Sequence, residues 1–214
     1  MEFVDRRHAG RMLAVELRRF ASEHPIVVAL PRGGVPVGFE VARELGAPLD
    51  ILAVRKLGAP GNPEFGVGAI AEDGTTVLDP ATAQWTGMTG PVLDETVARE
   101  TAELARRVER YRHGGAALDV HGRTAIVVDD GLATGLTNLA AVRALRARDA
   151  ARIVVAVPVG ARESVALVGA EADEVICLTV PRQLGGVGYW YVDFSAVSDE
   201  QVEELLAASA SPSG

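Results

Sequence analysis

The sequence predicts a doubly wound α/β fold with a five-stranded parallel sheet, formed as one domain over residues 1–214. Five short runs of apolar, mostly β-branched residues lie near positions 26, 51, 126, 153 and 175, a pattern typical of strands buried on both faces. Helical patterns separate these runs, as expected for parallel strands joined by helical crossovers. Turns rich in small residues follow several of these strands, and ligands of such folds bind at that edge of the sheet.

Composition limits the kinds of partner that we expect. The 21 basic and 29 acidic residues give a formal net charge of −8, which argues against a nucleic-acid surface because such surfaces carry excess basic residues. The sequence has no run of 18 apolar residues and no charged-then-apolar leader, so we expect no membrane span. The single cysteine, Cys177, lies in an apolar run, which indicates a buried thiol, no internal disulfide and a cytoplasmic location.

The first part of the chain predicts a helix, a strand and a second helix. Asp5 suits the N-cap of a helix that ends near His24. A buried strand over 26–30 leads into the turn 31–38 and a helix that ends near Leu45.

The turn after this first strand is a candidate anion site. Arg32 stands directly before Gly33 and Gly34, so a cation lies beside backbone amides that no side chain covers. A simple tight turn would use the same glycines. From these residues alone, both interpretations stay open.

The next strand is predicted over 49–54 and places Arg55 and Lys56 at the same edge of the sheet. Lys56 is the only lysine of the chain, which favours a site that needs a compact ammonium, although a solvated surface pair would give the same pattern. Residues 57–66 are rich in Gly and Pro and predict a mobile loop. Residues 69–78 predict a short hairpin around an Asp-Gly turn.

The rest of the chain continues the alternation of helices and strands. Residues 91–112 have apolar positions on one face and Glu/Arg pairs on the other, which predicts a long helix that serves as scaffold or as the contact of a homodimer. Strands are predicted over 153–157 and 175–178, with a helix near 163–168 between them and a last helix over 202–208.

Residues 125–137 are the stretch around which we expect the site. A β-branched strand ends at Asp129 and Asp130, and a turn of small residues then leads into a helix over 138–148. The amides and the dipole at that helix N-terminus stabilise a phosphate, whereas paired carboxylates accept hydrogen bonds from sugar hydroxyls. The stretch therefore suits a ribose 5-phosphate. The plain alternative is a loop in which Thr137 caps the helix.

Residues 181–194 interrupt the alternation and hold several of the few aromatic residues. We expect this segment to form a small hood over the site. Its three consecutive aromatics, Tyr189, Trp190 and Tyr191, either stack on a ligand or fill the core.

The sequence Val-Val-Asp-Asp-Gly-Leu-Ala-Thr-Gly-Leu-Thr at 127–137 resembles the phosphoribosyl pyrophosphate (PRPP) signature of the type I phosphoribosyltransferases. The resemblance covers about residues 5–207, and residues 55–74 look like a poorly characterised bacterial branch of that family. It implies that Asp129 and Asp130 hold the ribose hydroxyls and that the next loop holds the 5-phosphate. The loop residues implied in PRPP binding are Gly131, Leu132, Ala133, Thr134, Gly135 and Thr137.

The resemblance also implies roles outside the signature. Arg32, Gly33 and Gly34 resemble the pyrophosphate loop of the family, with Arg55 and Lys56 as further PRPP contacts. Residues 57–74 correspond to a flexible lid hairpin, and residues 181–194 to the hood that contacts the acceptor. The implied catalytic residues are Arg32, Lys56 and Asp130. The implied cofactor is Mg²⁺, which would meet Asp129, Asp130 and Asp193 largely through PRPP hydroxyls and water.

The activity implied is a pentosyl transfer, in which the ribose 5-phosphate group of PRPP passes to a nitrogenous acceptor such as a nucleobase and pyrophosphate is released. Hypoxanthine-type enzymes have an aspartate where this chain has Ala133, and the motif is more similar to adenine-type enzymes, so a 6-oxopurine acceptor is not implied.

Two alternatives remain open beside this activity. One is a regulator that binds PRPP or a nucleotide without turnover. The other is a phosphatase- or hydrolase-like enzyme, which is weaker because the sequence has neither a nucleophile elbow nor a cluster with metal-ligand spacing. We expect neither DNA nor a membrane as a partner.

Overall fold

The computed structural model describes residues 2–210, apart from the side chains of residues 63 and 64. Residues 1 and 211–214 of the predicted domain lie outside the described residues. The strands are β1 (Ile26–Ala29), β2 (Leu49–Ile51), β3 (Val54–Ala59), β4 (Asn62–Ala71), β5 (Thr76–Leu78), β6 (Thr124–Val128), β7 (Arg152–Val159) and β8 (Glu174–Thr179). The helices are α1 (Arg6–Leu17), α2 (Gly34–Leu45), α3 (Pro80–Thr86), α4 (Gly90–Arg112), α5 (Leu136–Ala147), α6 (Arg162–Gly169) and α7 (Asp199–Ala210).

A five-stranded parallel sheet forms the centre of the fold, in the order β2-β1-β6-β7-β8. The predicted fold class is therefore confirmed. Strands β1 and β6 are buried along their whole length, because helices cover both faces of the sheet. One face packs against α1 and α2, and the other packs against α5.

The strand order changes direction between β1 and β6, since β2 lies outside β1 on one side and β7 lies outside β6 on the other. Ala29, which ends β1, pairs with Val128, which ends β6. The loops after these two strands therefore leave the sheet side by side. Ligands of doubly wound folds bind in the crevice at this point.

A second, antiparallel sheet in the order β3-β4-β5 corrects two predictions. The predicted strand 49–54 ends at Ile51, so Arg55 and Lys56 belong to β3 and do not end a strand of the main sheet. The predicted loop 57–66 is instead part of a hairpin formed by β3 and β4, which we call the lid hairpin.

The glycines of the lid hairpin indicate close packing rather than irregular structure. A Cβ on Gly68 would lie 2.7 Å from Cδ2 of Leu78, so only glycine lets the neighbouring strand approach this closely. The register of β3 and β4 shifts at Gly58, which is typical of a β-bulge. The hairpin predicted over 69–78 is confirmed, with Ala69 opposite Val77.

Most helices lie where the sequence predicts them. Asp5 caps α1 by accepting a hydrogen bond from the amide of His8 at 2.6 Å, whereas α2 begins at Gly34, within the predicted turn. The sequence did not predict α3, which Asp79 caps. Among residues 2–210, no helix combines the length and the apolar character that a membrane crossing needs.

The hood is attached to the start of the chain. Its centre is a 3₁₀ turn, Val187–Trp190. The amide of Phe3 donates to the carbonyl of Trp190 at 2.8 Å, and the amide of Val192 donates to the carbonyl of Phe3 at 2.8 Å. The first turn of α1 therefore lies beside the hood.

Candidate functional site

A cleft of about 420 Å³ opens at the carboxyl ends of β1 and β6. It is bounded by the two loops after these strands, by β3 and by the hood. Its lining residues are Leu30, Pro31, Gly33, Val54, Lys56, Asp129, Asp130, Gly131, Ala133, Thr134, Gly135, Thr137, Val187, Gly188 and Phe194.

Asp129 directly follows β6 and lies at the base of the cleft. Its Oδ1 accepts the backbone amide of Asp130 at 2.8 Å, and its Oδ2 accepts the side-chain amide of Asn138 at 3.1 Å. Burial raises the pKa of the Asp129 carboxyl well above its ordinary value, and the negative charge of Asp130 raises it further. An added cation or hydroxyl donor would therefore stabilise the ionised form.

Asp130 is held by two residues that are distant in sequence. Its Oδ2 accepts Nε of Arg6 at 2.8 Å, and its backbone carbonyl accepts the hydroxyl of Tyr191 at 2.6 Å. A Cβ on Gly33 would overlap this carboxylate, so a glycine is required where the first loop passes the second. Burial raises the pKa of Asp130, while the Arg6 guanidinium opposes that increase.

The loop from Gly131 to the start of α5 forms the wall of the cleft that suits a phosphate. Thr134, Gly135 and Thr137 line it, and Gly135 caps α5 with a φ of 81°, a conformation that favours glycine. The first amides of α5 have no acceptor within the helix, so they and the helix dipole attract an anion.

Leu132 and Ala133 fix this loop from behind. Leu132 is fully buried, and its amide donates to the carbonyl of Val159 at 2.8 Å, so it does not line the cleft, contrary to its predicted ligand contact. The carbonyl of Ala133 accepts the hydroxyl of Ser164 at 2.5 Å. The loop is therefore anchored to β7 and α6.

The loop after β1 brings its glycines, but not its arginine side chain, to the cleft. Gly33 lines the cleft, and a Cβ on Gly34 would lie 2.6 Å from the carbonyl oxygen of Val128. The Arg32 guanidinium lies 3.7 Å from the carboxylate of Asp199 on α7. The structure thus does not bring Arg32 together with Lys56 as the sequence predicts.

Arg55 and Lys56 lie on opposite sides of β3. Lys56 lines the cleft, whereas Arg55 forms a salt bridge with Glu100 of α4 and lies 3.6 Å from Glu103. Successive side chains of a strand point to opposite faces, so only one of the pair reaches the cleft.

The hood places its aromatic residues in different surroundings. Tyr191 is buried against Phe3, with ring centres 5.4 Å apart, which confirms core packing for this residue. Tyr189 is 81% exposed and does not line the cleft, whereas Phe194 does. Asp193 also lies outside the cleft, and its carboxylate accepts the amide of Ser195 at 2.9 Å.

Sequence reasoning missed Arg6, Asn138 and Val187. Arg6 reaches Asp130 from a position 124 residues earlier, and no local pattern announces this contact. Asn138 interrupts a buried helix face, which is a usable signal because buried polar residues need partners. Val187 closes on Gly131, where a Cβ would lie 2.5 Å from its Cγ1.

The fold and this site agree with comparisons to known proteins. The family model for a phosphoribosyl transferase domain matches residues 5–193. The chain belongs to this family. The phosphoribosyl transferase fold also appears in the crystal structure of TT1426 from Thermus thermophilus, which is 45% identical, with a TM-score of 0.82 over 99% of this chain and 100% of that chain.

Two further proteins show how far the likeness extends. A Mycobacterium tuberculosis H37Rv protein, named as a candidate phosphoribosyl transferase, is 45% identical over 204 residues, or 95% of this chain. This chain spans only 46% of the length of that relative. AQ2163 from Aquifex aeolicus is 12% identical, with a TM-score of 0.52 over 82% of this chain and 74% of that chain, and shares the fold alone.

Proposed function

We propose that this chain transfers the ribose 5-phosphate group of PRPP to a nitrogenous acceptor and releases pyrophosphate. One observation carries the proposal: a single cleft holds the carboxylates of Asp129 and Asp130, the N-terminus of α5 and the ammonium of Lys56. These are acceptors for a sugar diol, a site for a phosphate and a cation for a second anionic group. Membership of the phosphoribosyl transferase family supports the same reaction.

Each part of the cleft then has a role in the proposed reaction. Asp129 and Asp130 accept the ribose hydroxyls, and the loop before α5 holds the 5-phosphate. Lys56 stabilises the charge that develops on the departing pyrophosphate, beside the backbone of Gly33. Arg32 would add its charge only after leaving Asp199. The lid hairpin, which carries Lys56, limits the access of water.

The cleft fits magnesium that is shared with the ligand. Among residues 2–210 no group of three or more His, Cys, Asp or Glu side chains could hold a metal ion, so the protein alone does not form a metal cage. Asp129 and Asp130 are two desolvated acids, and Mg²⁺ commonly binds one or two carboxylates together with phosphates and water. When bound, the ion would neutralise charge on the leaving group. We do not extend this role to Asp193, whose carboxylate lies outside the cleft.

A second candidate function is a regulator that binds PRPP or a nucleotide without turnover. Ala133 lines the cleft and supplies no carboxylate for proton exchange with an acceptor. Tyr189 is exposed and away from the cleft, so it does not form the flat surface on which a base would stack. Both observations favour binding over transfer to a base.

One experiment separates these functions. We would incubate the protein with PRPP and magnesium, add single nucleobases, and measure pyrophosphate release, with a reaction lacking acceptor as control. The transferase predicts release that depends on one acceptor, whereas the regulator predicts PRPP binding without release. Neither binding nor release would contradict both. The homodimer through α4 and the cytoplasmic location stay predictions.

A further inference from the structure

Arg6 lies in the first turn of α1 and has an enclosed guanidinium group. Its side chain is only 11% exposed. Nε donates to Oδ2 of Asp130 at 2.8 Å, and Nη1 donates to the backbone carbonyl of Ser195 at 2.8 Å. The central carbon of the guanidinium lies 3.9 Å from the ring centre of Phe194. One side chain therefore joins α1, a ribose-site acid and the end of the hood.

Arg6 holds the Asp130 carboxylate through one oxygen atom. No other residue among 2–210 donates a hydrogen bond to Oδ1 of Asp130, and an ionised carboxylate has about four sites for hydrogen-bond donors. The backbone of Asp130 is fixed as well, since Tyr191 donates to its carbonyl. Its Oδ1 is therefore held in place and remains available to a donor in the cleft.

We propose that Arg6 is a positioning residue of the ribose site. It fixes Asp130 by Oδ2, so that Oδ1 accepts a sugar hydroxyl, and it couples the orientation of this acid to Phe194 and Ser195 beside the hood. The proposal rests on the proposed function, because the sugar is the ribose of PRPP.

The energetics of the pair favour positioning over a role in stability. A largely buried ion pair contributes little net stability, because desolvation of both charges offsets their attraction. Its geometry is nevertheless well defined, since a charge-assisted hydrogen bond from a planar guanidinium restricts the rotation of the carboxylate. Small errors in the position of a binding group reduce catalysis strongly. The benefit of Arg6 thus appears when ligand binds.

The test compares a ligand that has the sugar with one that lacks it. Calorimetry would measure binding of PRPP and of inorganic pyrophosphate, each with magnesium, to wild type, Arg6→Gln and Arg6→Lys. For Arg6→Gln we expect PRPP to bind about tenfold more weakly or worse, as for the loss of a charged hydrogen bond, and pyrophosphate to bind with unchanged affinity. Arg6→Lys should retain part of the PRPP affinity, because an ammonium can still donate to Asp130.

Arg7 provides a matched control on the same turn of α1. Its Nε donates to the buried carboxylate of Glu40 at 2.6 Å, so Arg7→Gln also breaks an ion pair with a buried acid, but outside the cleft. We expect Arg7→Gln to leave PRPP affinity unchanged. A double-mutant cycle adds a second check, since Arg6→Gln should have little further effect in an Asp130→Asn protein.

The outcomes distinguish this inference from the proposed function. Unchanged PRPP affinity in Arg6→Gln, or an equal loss of PRPP and pyrophosphate binding, would overturn the positioning role. If Arg6→Gln does not fold by circular dichroism, Arg6→Lys decides, because full PRPP affinity there together with full loss in Asp130→Asn contradicts the geometry. Wild-type protein that fails to bind PRPP overturns the proposed function itself, and the ribose role of Arg6 with it.

Discussion

The side-chain amide of Asn138 donates a hydrogen bond to Oδ2 of Asp129 at 3.1 Å. Asn138 is 1% exposed, and its own carbonyl oxygen has no hydrogen-bond partner among the described residues. A buried acceptor without a partner lowers stability. Asn138 therefore orients Asp129 at a cost to the stability of the fold, which is typical of functional sites.

We predict that Asn138→Ala separates ligand binding from stability. Loss of the hydrogen bond to a charged group costs about 1.5–3 kcal/mol, and removal of the unpaired oxygen returns about 1–3 kcal/mol, so the free energy of unfolding should change little. PRPP affinity should fall about tenfold, as for other residues that orient a ligand-binding group. Urea unfolding and calorimetric titration of the same variant measure the two effects. Unchanged PRPP affinity would contradict the role of Asn138.

A second prediction concerns the pH dependence of stability. The folded-state pKa of Asp129 is raised, so between the unfolded value of about 4 and the raised value the folded state binds more protons than the unfolded state. The free energy of unfolding should therefore fall as pH rises through this window. Asp129→Asn removes the titrating group, so this variant should unfold at a higher urea concentration than wild type at neutral pH.

The comparison for Asp129→Asn is its own behaviour at low pH. Near pH 4 the wild-type carboxyl is already protonated in the folded state, so the difference in unfolding free energy between the two proteins should shrink. A difference that stays constant between pH 4 and pH 8 would contradict the raised pKa.

The sequence predicts those parts of the site that depend on neighbouring residues. Asp129 and Asp130 end a buried strand and precede a helix N-terminus, so their positions follow from local pattern alone. The crevice between β1 and β6 follows from the predicted α/β topology. The contact of Arg6 with Asp130 could not be predicted in this way, because it depends on how α1 packs beside the hood.

Arg55 and Lys56 show a second limit of sequence reasoning. The Gly-rich segment after them favours a loop, and residues at a strand end can both face a ligand. Once these residues are part of β3, the alternation of the strand sends Arg55 to α4 and Lys56 to the cleft. The error in assigning secondary structure thus became an error in assigning a binding residue.

A third prediction concerns the tip of the lid hairpin. Pro60 and Gly61 are exposed at this tip, and Lys56 on the same strand lines the cleft. We expect broad-specificity proteolysis to cut between residues 57 and 66 in the free protein and to slow when PRPP and magnesium are added. The turn at Gly74 is a control in the second hairpin, and its cleavage should not change. Equal cleavage of residues 57–66 with and without ligand would exclude a gating role.

A fourth prediction tests the chemical role of Lys56. The planar guanidinium of Lys56→Arg cannot take the position of a compact ammonium, so turnover with an active acceptor should fall by about an order of magnitude. PRPP affinity should change less than it does in Lys56→Ala. Arg99→Lys is a suitable control, since Arg99 is 64% exposed and pairs with Glu100. Wild-type turnover in Lys56→Arg would show that Lys56 contributes only its charge.

The central claim is that Asp129 and Asp130 hold the ribose of PRPP, and the most direct measurement is a calorimetric titration with PRPP and magnesium. The proteins compared are wild type, Asp129→Asn and Asp130→Asn, each checked for folding by circular dichroism. We predict that wild type binds and that each variant loses about 1.5–3 kcal/mol of binding free energy, because a charged acceptor for a hydroxyl is removed. Equal PRPP affinity in all three folded proteins would contradict the ribose assignment.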